Sequence, residues 1–325
     1  METRKIRNTG GGTGRTAILM GLFDGAAFLD DQLTSFADQT VPDWDLTVSD
    51  DGSQDTGPQM VTDFARAQHE KGRSVALIAG PGRGVAANFL SLLAGLAEGT
   101  AWAALSDQDD VWLPDRLERG QEALSRIPPE VPALFGSATW IVKEDLSNRR
   151  QSPRFSRPPG FRNALVQSIA GGNTMLLNRA GVDLARSAAT EALAADCLPV
   201  THDWWLYQLI SGAGGQVIRS EQPTVLYRQH GDNLFGTNLG MRAALKRLRM
   251  VTSGDLAAWT ACNARALSVS AHRLTPENRA LLDRFKTIRT QDMVSRLRSL
   301  RELGIYRQGR AGQAALWLAA SLGRL

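Results

Sequence analysis

Over residues 16–106 the chain alternates short apolar runs with amphipathic ones, and this alternation constrains the fold more than any other feature. Residues 16–22 (TAILMGL), 74–79 (SVALIA) and 101–106 (AWAALS) are largely apolar runs of strand length, and residues 44–49 (WDLTVS) read as a further strand. Between them, residues 26–38 carry Phe28, Leu29, Leu33 and Phe36 at helical spacing. Residues 58–71 carry Met60, Val61 and Phe64 on one face, and residues 85–98 carry Phe89, Leu92, Leu93 and Leu96. Strand and helix in repetition predict an α/β fold: a largely parallel sheet with helices on both faces. Ligands of such sheets bind beyond the carboxyl ends of the strands. There the sequence puts its acidic clusters, Asp50-Asp51-Gly52-Ser53 after the second strand and Asp107-Gln108-Asp109-Asp110 after the fourth.

The middle of the chain is less regular, with strands predicted at 132–142, 169–177, 215–220 and 223–229 and a Pro-, Ser- and Arg-rich loop at 147–163. From about residue 240 the pattern turns helical and basic, and Lys246, Arg247, Arg249, Arg296, Arg298 and Arg301 decorate the predicted helices. The expected organisation is therefore a flexible tail at 1–15, a principal α/β domain at 16–238 with halves at 16–115 and 116–238, and a C-terminal helical appendage at 239–325.

Composition closes off several classes. A chain of 325 residues with 43% hydrophobic and 22% charged residues is an ordinary globular sequence, not a disordered or fibrous one. A net charge of +4 is too small to argue for nucleic acid, and no nucleic-acid partner is expected. Cys197 and Cys262 are too few for a disulfide framework or a zinc cluster and fit a reducing compartment. There is no apolar stretch of membrane-spanning length, and no apolar segment follows the basic residues at the start, so a cytoplasmic location is expected. The glycines at 10, 11, 12 and 14 precede the first strand and lack a following Lys-Ser/Thr, which argues against a phosphate loop.

Four clusters remain as candidate chemistry. The carboxylates of Asp50 and Asp51 can accept hydrogen bonds from a base imide or a ribose hydroxyl, although Asp, Gly and Ser also make plain turns. Asp107, Asp109 and Asp110 repel one another unless a cation or donors compensate them. Asp107 and Asp109, two apart on an extended segment, face the same way and could share a divalent ion while leaving positions for phosphate oxygens. In His202-Asp203-Trp204-Trp205, Asp203 is either a helix cap or a general base. Tyr227-Arg228-Gln229-His230 follows the last predicted strand.

Taken in order, these stretches resemble family 2 glycosyltransferases of the GT-A fold, and within them the bacterial polysaccharide rhamnosyltransferases. The resemblance spans about residues 16–236. It is carried by Phe23-Asp24-Gly25, Ser49 to Ser53, Gly84 to Phe89, Ser106 to Trp112, Ala170 to Thr174, His202 to Trp205 and Tyr227 to His230. Asp24 stands where the family often has Asn.

The resemblance implies transfer of a sugar from a nucleotide diphosphate to an acceptor hydroxyl with inversion, helped by Mg²⁺ or Mn²⁺. By matching position, Asp203 would be the catalytic base, and Asp109, Asp107 and His230 would hold the metal. Phe23, Asp24, Asp50, Asp51, Asn88, Asp107, Gly172, Asn173, Trp204 and Arg228 would bind the donor, with residues 16–115 as the nucleotide-binding half and 116–238 as the acceptor half. The implied donor is dTDP-L-rhamnose, with a UDP-hexose as alternative. The implied acceptor is a glycan or lipid-linked glycan at the inner membrane face. The basic C-terminal helices suit anionic lipid headgroups, a homo-oligomer contact or plain solvation. A nucleotidyltransferase would carry a basic, glycine-rich loop after the first strand, where this chain has Gly21-Leu22-Phe23-Asp24-Gly25. A dinucleotide oxidoreductase would carry its glycine fingerprint there. A glycan-binding protein without catalysis would need neither the acidic cluster nor the base.

Overall fold

The computed structural model describes residues 14–231 and 254–325. The tail glycines at 10–12, the 238/239 boundary, Lys246, Arg247 and Arg249 lie outside the described residues.

The first half follows the predicted alternation: β1 (Thr16–Leu22), α1 (Ala26–Ala37), β2 (Trp44–Asp50), α2 (Gly57–His69), β3 (Val75–Ala79), α3 (Val85–Ala94) and β4 (Trp102–Ser106). A two-residue strand β5 (Val111–Trp112) and helix α4 (Arg116–Ser125) come next. The second half holds β6 (Ala133–Lys143), β7 (Arg150–Gln151), α5 (Phe161–Ala164), β8 (Leu176–Asn178), α6 (Arg179–Ala194), α7 (His202–Gly212) and β9 (Gln216–Gln229). The chain finishes in α8 (Asp255–Val269), α9 (Pro276–Thr287), α10 (Met293–Glu302) and α11 (Arg310–Ser321).

The described strands form one sheet in the order β3-β2-β1-β4-β8-β6-β9-β5, with β7 hydrogen-bonded to β6. β3, β2, β1 and β4 are mutually parallel, and β8 enters antiparallel to β4. The pleat of β1 sorts the core into two layers. Ala17 and Leu19 face α3, α6 and α7, while Ile18, Met20 and Leu22 face α1 and α4. This two-sided burial is why β1 reads as a continuous apolar run.

Three expectations are corrected in detail. The strand predicted at 169–177 is shortened to β8, because Gly172–Thr174 forms a 3₁₀ turn before it. The two strands predicted at 215–220 and 223–229 are one, β9, whose register against β6 shifts between Ser137 and Thr139. The loop at 147–163 contains β7 and α5.

The C-terminal helices are packed into the core of the sheet domain. Leu267, Leu282, Phe285, Leu300 and Leu316 share one buried cluster with Leu105, Leu177 and Trp205. Polar contacts seal the junction: the Val200 amide donates to Asn263 Oδ1 at 2.8 Å, and Asn278 Nδ2 donates to the Gly212 carbonyl at 3.0 Å.

Candidate active site

The loops beyond the carboxyl ends of β1, β2, β3 and β4 form one wall. Asp24 follows β1 in the left-handed region (φ 45°), which Asp and Asn tolerate better than other side chains, so its substitution for Asn keeps the turn. Its Oδ1 accepts from the Gln54 amide at 2.7 Å, and its own amide donates to Ser53 Oγ at 3.0 Å. Phe23 is exposed beside it, and Gln108 clamps the Phe23 backbone from across the sheet: the Phe23 amide donates to Gln108 Oε1 (2.7 Å) and Gln108 Nε2 donates to the Phe23 carbonyl (2.8 Å). Asp50 Oδ1 accepts from the Ser53 amide at 2.9 Å. Asp51 holds the β3–α3 loop with both oxygens, accepting from the Gly82 and Gly84 amides at 2.7 Å each. Both glycines have positive φ, so the loop can turn its amides inward. Asn88 is buried behind this wall; its Nδ2 donates to the Ser49 carbonyl at 2.8 Å. Its Oδ1 has no hydrogen-bond partner among the described residues.

Behind β4 the acidic cluster rests on a buried cation. Arg116, in the first turn of α4, donates to the carbonyls of Leu105 (3.0 Å), Asn173 (2.8 Å) and Met175 (3.2 Å), and its guanidinium lies 3.4 Å over the Trp112 ring. Burial pushes its pKa well down from the ordinary range, and Asp110 opposes that push. Asp110 is fully buried; it accepts from Asn173 Nδ2 and, at 3.0 Å, from the Arg228 amide. Burial, then Asp109 and Asp107, raise its pKa well above the usual carboxylate range. Asp107 is raised to about 8, first by burial, then by repulsion from Asp109 and from Asp203.

That last contribution joins the two halves of the site. Asp203, in the first turn of α7 and about a hundred residues away in sequence, lies near enough to Asp107 to oppose its ionisation. Ser168 Oγ donates to Asp203 Oδ2 at 3.3 Å. Tyr227 on β9 reports the same convergence: burial raises its hydroxyl pKa first, and Asp110, Asp107, Asp109 and Asp203 all add to the rise.

His230, just past β9, approaches Asp109, with Nε2 and Oδ2 2.7 Å apart, and its ring lies 4.7 Å from Phe28 of α1. Arg228 acts as a strut for this strand end. Its guanidinium donates to Asp31 (2.6 Å), to the Asp109 carbonyl (2.9 Å) and to the Glu144 carbonyl, and is buried in doing so. Trp204 is also buried, with Nε1 donating to the Ala164 carbonyl at 2.6 Å, so it packs against α5.

Gly172 and Asn173 connect the clusters. Asn173 bonds Asp110 by its side chain and Arg116 by its carbonyl, while Gly172 lies against His202, the residue before Asp203. His202 is buried and stacked on Phe89 with ring centroids 3.7 Å apart. Burial lowers its pKa to about 4, against the pull of Asp203.

Among the described residues no three His, Cys, Asp or Glu side chains form a ready-made metal site. What the chain offers is a pair, Asp109 with His230, and Asp107 beside it. Sequence reasoning missed Gln108, Arg116, Ser168 and His202 as parts of this arrangement.

Glycosyl transferase family 2 matches residues 18–179 of the chain. The dTDP-rhamnosyl transferase RfbG of Shigella flexneri is 25% identical over 244 residues, which cover 71% of this chain and 78% of that protein. Among solved structures, S. aureus TarS 1-349 in complex with UDP is similar at 14% identity and a TM-score of 0.44, over 77% of this chain; the chain spans 65% of that structure's length. The mannosyltransferase PcManGT from Pyrobaculum calidifontis, in complex with GDP-Man and Mn²⁺, is similar at 16% identity and a TM-score of 0.45, over 95% of this chain and 85% of that one.

Proposed function

We propose that the chain, whose residues 18–179 match glycosyl transferase family 2, transfers L-rhamnose from dTDP-L-rhamnose, with inversion, to a hydroxyl of a growing cell-surface glycan on the cytoplasmic side of the membrane. The observation that supports the reading is that Asp203 and Asp109 both oppose the ionisation of Asp107, so the three carboxylates lie near one another. An inverting transfer needs a base on one side of the anomeric carbon and charge neutralisation on the other. The dTDP-rhamnosyl activity named for the Shigella flexneri relative supports the donor.

Asp203 takes the proton of the acceptor hydroxyl as it attacks, with the Ser168 hydroxyl orienting its carboxylate. Asp50 meets the pyrimidine, while Asp51 holds the amide-rich loop of Gly82 and Gly84 in place around it. Phe23 and Asp24 close the base pocket on the β1 side, and Asn88 lines its floor. Asp109 and His230, with Asp107 close by, are the residues that would hold Mg²⁺ or Mn²⁺. A protein pair suits an ion whose remaining positions are filled by phosphate oxygens and water. When bound, the ion neutralises the charge that gathers on the departing diphosphate. Asp107, held at about 8 by burial and its acidic neighbours, marks a place where a cation relieves unfavourable charge. Arg116 and Asn173 keep Asp110 and the loop before β8 in register with the aspartates. Arg228 fixes the end of β9 so that His230 reaches Asp109.

The test is incubation of the full chain with dTDP-L-rhamnose, UDP-glucose, UDP-N-acetylglucosamine and GDP-mannose, each with Mn²⁺, Mg²⁺ or EDTA, scoring released nucleoside diphosphate. Metal-dependent release of dTDP above the other nucleotides is expected. Release from a UDP-sugar alone overturns the donor, and undiminished release in EDTA overturns the metal.

A further inference from the structure

The last two helices present a surface that the catalytic reading does not use. The exposed residues along α11 are Arg310, Ala311, Ala314 and Leu318, and Leu322 continues the same line just beyond it. Spacings of three and four place them on one stripe, which is apolar from Ala311 to Leu322 with Arg310 at its N-terminal end. Leu318 is 41% exposed and Leu322 52%. Met293 and Val294, at the start of α10, are exposed by 52% and 61%. These two helix ends are neighbours: Arg296, one turn after Met293, donates from Nη1 to the Ala320 carbonyl of α11 at 2.8 Å. Four of the seven large exposed apolar side chains of the described residues therefore gather at this corner.

Charge is concentrated in the same segment. Residues 292–325 contain six arginines against Asp292 and Glu302, which equals the +4 of the entire chain and leaves residues 1–291 balanced at 31 of each sign. Arg296 is turned inward, to the carbonyls of Ala320 and Gln291. Arg298, Arg301, Arg310 and Arg324 are exposed around the apolar stripe.

We propose that this corner, with the α11 stripe and the start of α10 at its centre, docks on an anionic lipid leaflet. An apolar stripe flanked by arginines lies in the plane of an interface, its side chains among the acyl chains and its cations at the headgroups. Two signals are present together, and stable peripheral binding requires two. A second copy of the chain is a poor occupant, because its own corner would meet this one with charge of the same sign. No described helix is long and apolar enough to cross a membrane, so the attachment is to one leaflet. The loop before α11 leans on the acceptor side of the cleft: the Gln308 amide donates to Gln167 Oε1 at 2.8 Å, and the next residue, Ser168, bonds Asp203. The proposal stands on the surface itself and does not depend on the donor or acceptor assigned above.

The experiment is co-sedimentation of the full chain, without any nucleotide sugar, with vesicles of phosphatidylcholine or of phosphatidylcholine mixed with phosphatidylglycerol. The chain is expected to sediment with the mixed vesicles, less with the neutral ones, and less again as salt rises. L318Q/L322Q is expected to weaken binding by on the order of tenfold to a hundredfold, with donor hydrolysis and the circular dichroism spectrum unchanged. L318A/L322A, milder for folding, is expected to move the same way. Absence of sedimentation with either vesicle, or equal binding by the parent and both variants, overturns the proposal. So does a dimer in sedimentation velocity that L318Q/L322Q converts to monomer, since the stripe would then be a self-association surface.

Discussion

Replacing Gly172 with alanine tests the contact on which both halves of the site converge. Gly172 lies outside the left-handed region, so alanine meets no backbone penalty there. The added methyl would lie 2.2 Å from His202 Nε2, 3.1 Å from Cε1 and 3.2 Å from Cδ2. Ordinary contact begins near 3.4 Å, so ring or loop must shift by about 1 Å. His202 has little room to retreat, being buried and stacked on Phe89 at 3.7 Å. The loop must therefore give, carrying Asn173 away from Asp110. Overpacking of this kind costs about 1–3 kcal/mol. A displacement of about 1 Å beside reacting groups costs on the order of a hundredfold in turnover. Urea denaturation read by tryptophan fluorescence, together with donor hydrolysis, measures both. A double-mutant cycle isolates the cause. His202→Ala empties the space the methyl needs, so G172A/H202A should be less destabilised than the two single changes added together. An additive cycle, or a Gly172→Ala protein with parental stability and turnover, refutes the reasoning.

Asp203→Asn should lower turnover by about a hundredfold to ten-thousandfold while leaving dTDP affinity, measured by calorimetry, at the parental value; loss of both in step removes the base assignment. Asp109→Ala should weaken manganese-dependent dTDP binding by on the order of tenfold or more, and an unchanged titration would move the metal to other residues. The pH dependence follows from His202, held at about 4 in the folded protein against 6.5 ordinarily. Between those values the unfolded chain binds a proton that the native one does not, so stability is full above pH 6.5 and falls as pH drops towards 4. The loss is up to about 3 kcal/mol. His202→Phe should lack that part of the acid destabilisation, and parallel stability curves for parent and variant would contradict it.

The four parallel strands of the first half and the helices between them were legible because β1 and β4, buried on both faces, read as largely apolar runs, while β2 alternates Trp44, Leu46 and Val48 with Asp45, Thr47 and Ser49. Their acidic ends were legible for a related reason: carboxylates gathered at strand ends need a partner, and sheets of this kind offer one there. The strand predicted over 169–177 fails because an apolar pattern registers Ile169 and Met175 but not the turn that Gly172–Thr174 makes between them. The C-terminal helices show the same limit. Their periodicity says that one face is buried, and only the fold says that Phe285 and Leu316 join the core of the sheet domain.

The residues missed in the site have a common physical character. Arg116 acts on backbone carbonyls, Gln108 on the Phe23 backbone, and His202 through the space it fills against Gly172. None of these interactions is encoded by a pairing of side-chain types that a sequence displays. Asp107, Asp109 and Asp203 were visible because their chemistry is carried by the side chains. A fourth carboxylate, Asp110, stands in the same acidic run as Asp107 and Asp109. Fully buried between Asn173 and the Arg228 amide, it has no face left for a substrate. Its work is to hold the loop before β8 and the end of β9 to the same point, beside Asp107 and Asp109. Pattern places a carboxylate in the neighbourhood of the chemistry; burial and hydrogen-bond partners decide whether it faces the substrate or the scaffold.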